Sequence, residues 1–182
     1  MNKIFDKIRG LPLMILVVAH LIGLLAVTAN ATSFTDYAEN NFVDHQFRGT
    51  TYSATAPANY FVSLHTVACG DATAGTEVST LGTAYARVSI ARSQVAWKST
   101  QGTAGVASTG TGGTISNAAS IDFNAPTADW TPTTQIVSFA INDAATAGNM
   151  IVCEALTTPK SVNNGDAAPS FAIDALTIQI DN

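Results

Sequence analysis

The stretch QIVSFAIN (residues 135–142) places apolar side chains at nearly every second position. Successive side chains of a β-strand point to opposite faces of the sheet, so this spacing predicts a strand with one face in the core. Four other stretches share the pattern: NYFVSLHT (59–66), AYARVSIA (84–91), MIVCEAL (150–156) and ALTIQI (175–180). Gly, Pro, Asn and Asp separate them, which predicts a mainly β antiparallel domain, either a sandwich or a small barrel.

One short helix is predicted before these strands. In SFTDYAENNFVDHQFRGT, apolar residues recur at three- and four-residue steps, which is the spacing of one helix face. That predicted face consists of Phe34, Tyr37, Ala38, Phe42 and Val43. Ser33, with Asp36 three positions later, is a candidate N-terminal cap. Gly49 suits the left-handed conformation that ends many helices.

The composition describes a folded chain with few charges. Of its 182 residues 47% are hydrophobic and 12% are charged, with a net charge of −5. This length favours one domain with enough apolar material for a core. Nucleic acid is an unfavourable partner, because phosphate binding needs clustered basic side chains. The basic residues after residue 31 are scattered: Arg48, Arg87, Arg92, Lys98 and Lys160.

Residues 1–31 differ from the rest of the chain. A basic start precedes an uncharged apolar run at residues 11–27, and small residues follow at Ala29 and Ala31. This order is typical of a secretory signal peptide cleaved after Ala31. An uncleaved membrane anchor through residues 11–27 and a wrongly assigned start, with the protein beginning at Val27, are the alternatives.

Residues 32–182 are predicted to form a single β-rich structural domain. Within it, residues 99–118 are rich in Gly, Ser and Thr and are expected to form a long exposed loop. Strand character is expected only near Thr114 and Ile115. No repeat of solenoid length occurs.

The histidines do not predict a catalytic site. Asp44 and His45 are neighbours on the predicted helix, where consecutive side chains point to different faces, so we expect a surface pair. His65 shares a strand face with Phe61 and Ser63, and a lone strand histidine is expected to fill that face rather than bind metal.

Other chemistry-bearing residues also lack the spacing that a reaction needs. Cys69 and Cys153 either form a disulfide, if the domain is exported, or remain buried thiols. The glycines between residues 102 and 113 lack the Gly-Lys-Ser/Thr of a phosphate loop, and no serine lies in a G-x-S-x-G elbow. The glutamates have no carboxylate partner at a spacing for glycoside hydrolysis: Glu39, Glu77 and Glu154. Trp97 and Trp130 are expected in the core or at an edge rather than as a sugar-stacking platform.

The segment Asn163-Asn164-Gly165-Asp166 is either a tight turn or an acidic ligand loop. Its residues tolerate positive φ, and no glutamate follows at the position that a calcium loop requires. We therefore predict a hairpin turn that sets the register of the last strands. No catalytic residue, cofactor-binding residue or metal ligand is predicted anywhere in the chain.

The ordered set of motifs resembles tail-fibre-like virion structural proteins of tailed bacteriophages and prophages. The resemblance rests on FTDYAENNFVDHQFRGTTYSATAPANYFVSLHT from Phe34, on ISNAASIDFNAPTADW from Ile115, and on ALTTPKSVNNGDAAPSFAIDALTI from Ala155. TTPKSVNNGDAAPSF is its most specific part. Members begin close to the F-T-D-Y segment, so the leader lies outside the family pattern.

The resemblance implies a non-enzymatic virion component that assembles with other virion structural proteins, as a homo-oligomer or in multiple copies. It implies no cofactor. The alternative function is an exported bacterial surface or binding module, which the leader favours and which would place the domain in the envelope or outside the cell. A secreted hydrolase is disfavoured, because no catalytic constellation is present.

Overall fold

The computed structural model describes residues 29–31, 34–50, 57–109 and 112–180. The first elements are strand β1 (Ala29–Ala31), helix α1 (Asp36–Phe47), and strands β2 (Asn59–Val67), β3 (Thr76–Glu77), β4 (Val88–Ala91) and β5 (Trp97–Lys98). Strands β6 (Thr114–Asn117), β7 (Ile121–Asp122), β8 (Ile136–Asn142), β9 (Met150–Lys160), β10 (Ser170–Phe171) and β11 (Leu176–Gln179) follow. The described domain is mainly β, as predicted.

The larger sheet is antiparallel and has β2 and β8 at its centre. Its order is β3-β2-β8-β9, and β4 also pairs with β2. Register places Val62 opposite Ile141 and Leu64 opposite Phe139, and all four side chains belong to the hydrophobic core. Because side chains alternate along a strand, the residues between them point to the other face of the sheet.

The second sheet has the order β1-β11-β6-β5. Its β11–β6 and β6–β5 pairs are antiparallel, whereas β1 runs parallel to β11, with Ala29 opposite Leu176 and Ala31 opposite Ile178. Strands β7 and β10 form a separate two-stranded antiparallel sheet. The described residues therefore form open sheets, and the sandwich alternative describes them better than a closed barrel.

One hydrophobic core joins these sheets. Phe139 and Val62 of the larger sheet are fully buried together with Leu176 of the second sheet, and Phe171 of the two-stranded sheet is 2% exposed. The ring of Phe171 lies 5.7 Å from that of Phe139, edge to face. Burial of these side chains stabilises the fold by roughly 1.5–3 kcal/mol each.

Four of the five predicted strands are present with nearly the predicted bounds. The exception is residues 84–91, where only β4 at its end is a strand. Ala84 has a φ of 59°, which turns the chain so that Tyr85 enters the core. The Tyr85 hydroxyl then accepts the backbone N–H of Leu64 at 2.9 Å. A tertiary hydrogen bond thus replaces strand pairing at this point.

Helix α1 is present, but only part of its predicted apolar face is buried. Ala38 and Asn41 are its buried residues, while Phe42 is 52% and Val43 46% exposed. Thr35 is the N-cap and accepts from the N–H of Ala38. Ser33, the predicted cap, lies outside the described residues.

The end of α1 agrees with the prediction. Arg48 is the C-cap, and Gly49 follows with a φ of +68°, a conformation that favours glycine. The N–H groups of Arg48 and Thr50 both donate to the carbonyl of Asp44.

Between β5 and β6, the described residues 99–109 and 112–113 contain no helix or strand, and residues 110–111 lie outside the described part. The Gln101 side chain links its two arms, donating to the Ala107 carbonyl at 2.8 Å and accepting from the N–H of Thr109 at 3.0 Å. The leader predictions for residues 1–28 also lie outside the described residues. No helix of the described chain is long and apolar enough to cross a membrane.

Candidate functional site

Asp44 and His45 behave as the predicted surface pair. The carboxylate of Asp44 pairs with Arg48 one helical turn later, at 2.9 Å. His45 is exposed, and its Nδ1 lies 3.2 Å from the carbonyl of Thr50. The two side chains therefore have different partners and form no acid–base dyad.

His65 belongs to a buried polar cluster on the face of the larger sheet that is opposite the hydrophobic core. Its Nε2 lies 2.9 Å from the hydroxyl of Ser63, and the side-chain amide of Asn142 donates to that hydroxyl at 2.9 Å. Ser63 is fully buried, and His65 and Asn142 are each 3% exposed. The prediction that His65 fills a sheet face is confirmed.

This Ser–His contact is unsuited to nucleophilic catalysis. Burial lowers the pKa of His65, although the carboxylate of Glu77 opposes the shift. Among the described residues no carboxylate forms a hydrogen bond with the ring Nδ1, so the third group of a catalytic triad is missing there. With Ser63 closed to solvent, a substrate cannot reach the hydroxyl. The cluster packs the sheet.

A second polar network joins the end of β3 to the residues just before β4 and to the loop between β8 and β9. Arg87 binds Glu77 through two nitrogens, at 2.9 and 2.8 Å. The Tyr85 hydroxyl donates to the same carboxylate at 2.9 Å, and Arg87 also donates to the carbonyls of Ala144 and Ala147. Such bidentate pairs fix geometry as well as charge.

The network sets the ionisation of its members. Burial alone would raise the pKa of Glu77, but hydrogen bonds from Arg87 and Tyr85 outweigh it and the pKa is lowered. The pKa of Tyr85 is raised, chiefly by burial. The pKa of Arg87 is raised, chiefly by its hydrogen bonds to Glu77. At neutral pH Glu77 and Arg87 are therefore charged and Tyr85 is neutral, and these fixed states suit a structural role.

Cys69 and Cys153 form a disulfide, which resolves the alternatives left by the sequence. Their Cα atoms lie 5.9 Å apart, and the two residues have a sequence separation of 84. Cys69 follows β2 and Cys153 lies in β9. The bond therefore crosses the intervening strand β8, on the face of the sheet that is opposite the hydrophobic core. There the N–H of Cys69 donates to the hydroxyl of Ser138 at 3.3 Å.

The two tryptophans lie in different places. Trp130 is 4% exposed; its indole donates to the carbonyl of Thr83 at 2.7 Å, and its ring packs edge to face on Tyr85. Trp97 lines an open apolar groove of about 390 Å³ between the two main sheets. The two rings therefore form no joint platform, as predicted.

The groove has an aliphatic and aromatic lining with a polar rim. Phe34, Tyr60, Ile115, Ile141, Ile151 and Ile178 belong to its apolar lining. Arg92 lies at the rim, where its Nε donates to the carbonyl of Pro57 at 3.0 Å. Val106 and Ile180, also at the groove, are 43% and 71% exposed.

Residues 163–166 form a turn, but the predicted hairpin is wrong. The N–H of Asp166 donates to the carbonyl of Asn163 at 3.1 Å, and Gly165, in the third position, has a φ of +85°. The Asp166 carboxylate accepts the N–H of Asn163, and Asp129 accepts that of Asn164. The strands on either side do not pair, because β9 pairs with β8 and β10 with β7.

Three exposed carboxylates come together where α1 meets the loop after β2. Oxygens of Asp36, Glu39 and Asp71 lie within 4.8 Å of one another. All three side chains are exposed, and exposed acids commonly gather without a metal. Sequence reasoning missed this cluster, because Asp71 is distant in sequence and only the fold brings it to the helix.

The remaining candidates have local structural roles in the described chain. Gly102 and Gly105 both have a φ of 78° and turn the exposed loop. The carboxylate of Glu154 accepts the N–H of Ala155. The Glu77–Arg87 pair was not predicted, since its partners are ten positions apart and are separated by an irregular segment.

Comparison with known proteins gives one family match. The family model described as "Podophage GP4 fiber I protein gp80" matches residues 33–179. A search of curated proteins gives no match. The matched range begins just before α1 and ends at the last residue of β11, so it covers both main sheets except strand β1.

Proposed function

Because the chain belongs to the podophage GP4 fiber I protein gp80 family, we propose that it is a non-enzymatic structural component of a tailed-phage or prophage particle. It acts by assembly with other virion proteins and with further copies of itself, and it is located in the virion. The family match over residues 33–179 is the observation that carries this proposal.

The chemistry of the described residues agrees with a structural role. Ser63 and His65 are buried. Arg87, which is paired with Glu77, also donates to two backbone carbonyls. These groups hold strands and loops in place. The exported surface module, our alternative, gains nothing from the family match.

A pair of glycine variants provides the test. Gly75 has a φ of +61°, and a Cβ there would collide with the backbone of Val67 and Ala68. Gly82 has a φ of +73°, but a Cβ there would meet nothing within 4 Å. Gly75→Ala should therefore prevent folding, whereas Gly82→Ala serves as the matched control with a similar backbone conformation.

The measurement is quantitative mass spectrometry of density-purified particles from a phage or prophage carrying each version of the gene. We expect the wild-type chain and Gly82→Ala at a constant ratio to the major capsid protein, and Gly75→Ala to be lost from the particles. Recovery of the wild-type chain in the envelope fraction, with none in purified particles, would contradict the proposal and favour the exported module.

A further inference from the structure

Helix α1 turns its largest apolar side chains away from the domain. One stripe of the helix consists of Glu39, Phe42, Val43, Gln46 and Phe47, because residues three or four positions apart lie on the same side of a helix; we call this stripe the outer face of α1. Phe42, Val43 and Phe47 are 52%, 46% and 77% exposed. The rings of Phe42 and Phe47 lie 6.5 Å apart, edge to face.

The inner side of the helix is the reverse of what a surface helix needs. It buries Ala38 and the polar Asn41, whose amide donates to the carbonyl of Tyr37 within the helix. A surface helix ordinarily directs its apolar stripe to the core. A contiguous exposed stripe with two aromatic rings marks a surface that another molecule covers.

The outer face adjoins an uncompensated negative charge. Glu39 belongs both to the stripe and to the cluster with Asp36 and Asp71. No ion pair of the described residues includes these three carboxylates. Like charges this close repel one another, so a cation placed beside them is favoured.

The groove between the sheets has the complementary properties. Its lining is apolar, with Trp97 and Phe34 among the lining residues. In the described structure the guanidinium of Arg92 at its rim is engaged only through Nε, by a backbone carbonyl. The side chain of Lys98, by contrast, is already paired with Asp174.

We propose that the groove of one copy receives the outer face of α1 from a second copy, with Arg92 beside the acidic cluster. Apolar surface meets apolar surface, and the one available groove cation meets the one uncompensated acidic cluster of the described residues. The contact uses the helix-in-groove mode of recognition. It rests on the proposed function in specifying how copies of the chain assemble.

The contact is heterologous, since two different surfaces of the same chain meet. Each copy offers one helix and one groove, so the contact repeats from copy to copy. This property separates it from a symmetric helix–helix dimer and provides a sharp test.

The first experiment measures the oligomeric state of the full chain, as recovered from the expressing cell, by native mass spectrometry and sedimentation. We expect oligomers for the wild type and a loss of affinity of about tenfold or more for Phe42→Ser/Phe47→Ser, because central aromatic anchors dominate interfaces. Leu81→Ser is the control, since Leu81 is 89% exposed and belongs to neither surface.

The second experiment mixes two defective proteins. Phe42→Ser/Phe47→Ser keeps the groove, and Arg92→Glu keeps the helix but carries a groove that repels the acidic cluster. Each should be monomeric alone, and together they should form a one-to-one heterodimer through the one intact contact. Glu39→Arg combined with Arg92→Glu in one chain should restore self-association.

Three results would overturn the inference: a monomeric wild type, oligomers that survive Phe42→Ser/Phe47→Ser, or mixed variants that stay apart. Thermal unfolding of each variant checks that the fold is retained, which the exposure of the substituted side chains leads us to expect. Association without incorporation into particles would contradict the proposed function and leave the contact intact. Incorporation into particles of a chain that fails these association tests would support the proposed function and contradict the proposed contact.

Discussion

His65 combines a buried ring with a neutral state, and this combination links stability to pH. The folded protein lowers the pKa of His65 below its usual 6.5 through burial. As pH falls below 6.5, the His65 ring therefore takes up a proton in the unfolded chain while it stays neutral in the folded chain. The stabilisation is complete above that pH and is lost progressively below it.

We expect the unfolding midpoint of the wild type to fall between pH 7 and pH 5, and that of His65→Gln to fall less steeply. Glu77 does not disturb this window, because its lowered pKa makes its contribution decline only below its usual 4.5. Leu81→Ser is the control, since it changes a side chain that is 89% exposed and does not titrate. Thermal unfolding across the pH range measures all three, and parallel slopes for wild type and His65→Gln would refute the assignment.

Gly165 sets the backbone of the turn that follows β9. Its φ of +85° suits glycine, and no atom lies within 4 Å of a Cβ placed there. Gly165→Val should therefore destabilise the fold through backbone strain alone, by roughly 1–3 kcal/mol. Gly165→Asn should cost less, because Asn tolerates the left-handed region. Chemical denaturation measures both, and equal losses would show that side-chain volume matters instead.

Asp166 acts in the same turn as a hydrogen-bond acceptor for the N–H of Asn163. Asp166→Asn keeps an acceptor oxygen and should be nearly silent, whereas Asp166→Ala should cost about 1 kcal/mol. Calcium should not shift the midpoint of any variant. A calcium-dependent rise in the wild type that Asp166→Asn abolishes would establish a ligand loop.

At the scale of elements, the disulfide joins β9 to the end of β2 across β8. Cross-linking residues separated by 84 positions restricts the unfolded chain and is worth on the order of 4 kcal/mol in the chain-entropy model. The core is large enough to fold without it. Cys69→Ala/Cys153→Ala should thus remain folded but unfold at a lower denaturant concentration.

A reductant provides the control for this prediction. It should lower the midpoint of the wild type to that of the double variant and leave the double variant unchanged. Intact mass should show the native wild type lighter than its reduced form by two hydrogens. Failure of the double variant to fold would show that the core depends on the cross-link.

The sequence was sufficient to predict where most of the longer strands lie, but not which strands pair with each other. Alternation identified β2, β8, β9 and β11, because each has one face in the core. The two-residue strands β7 and β10 are too short to carry a period. The same limit applies to α1, whose apolar stripe was recognised although its direction was not. Apolar periodicity predicts that a helix has an apolar face, but whether that face packs on the domain depends on the tertiary structure.

At the scale of the whole molecule, the candidate surfaces depend on distant parts of the chain. The groove combines residues from Phe34 to Ile180, and the acidic cluster combines α1 with the loop after β2. Local motifs contain no trace of either surface. The disulfide was left open for the same reason, since the distance between two cysteines follows from strand order and not from spacing.

The single-domain proposal for residues 32–182 leaves the leader to experiment. We expect the functional protein to lack residues 1–26 or 1–31. Cleavage after Ala31 would remove β1, whereas a start at Val27 would keep β1 paired with β11. Intact mass of native protein decides between these products, and a species that retains Met1 would contradict both and favour an anchor.

The parallel pairing of β1 with β11 has a mechanical consequence. Ala29 lies beside Leu176 and Ala31 beside Ile178, so a pull on the chain before β1 and on the chain after β11 drags the two strands along each other in opposite directions. Their hydrogen bonds are then loaded together in shear, instead of being opened one at a time like a zip. A domain that retains β1 and is tethered at these two points should resist tension far better than one pulled across the same strands.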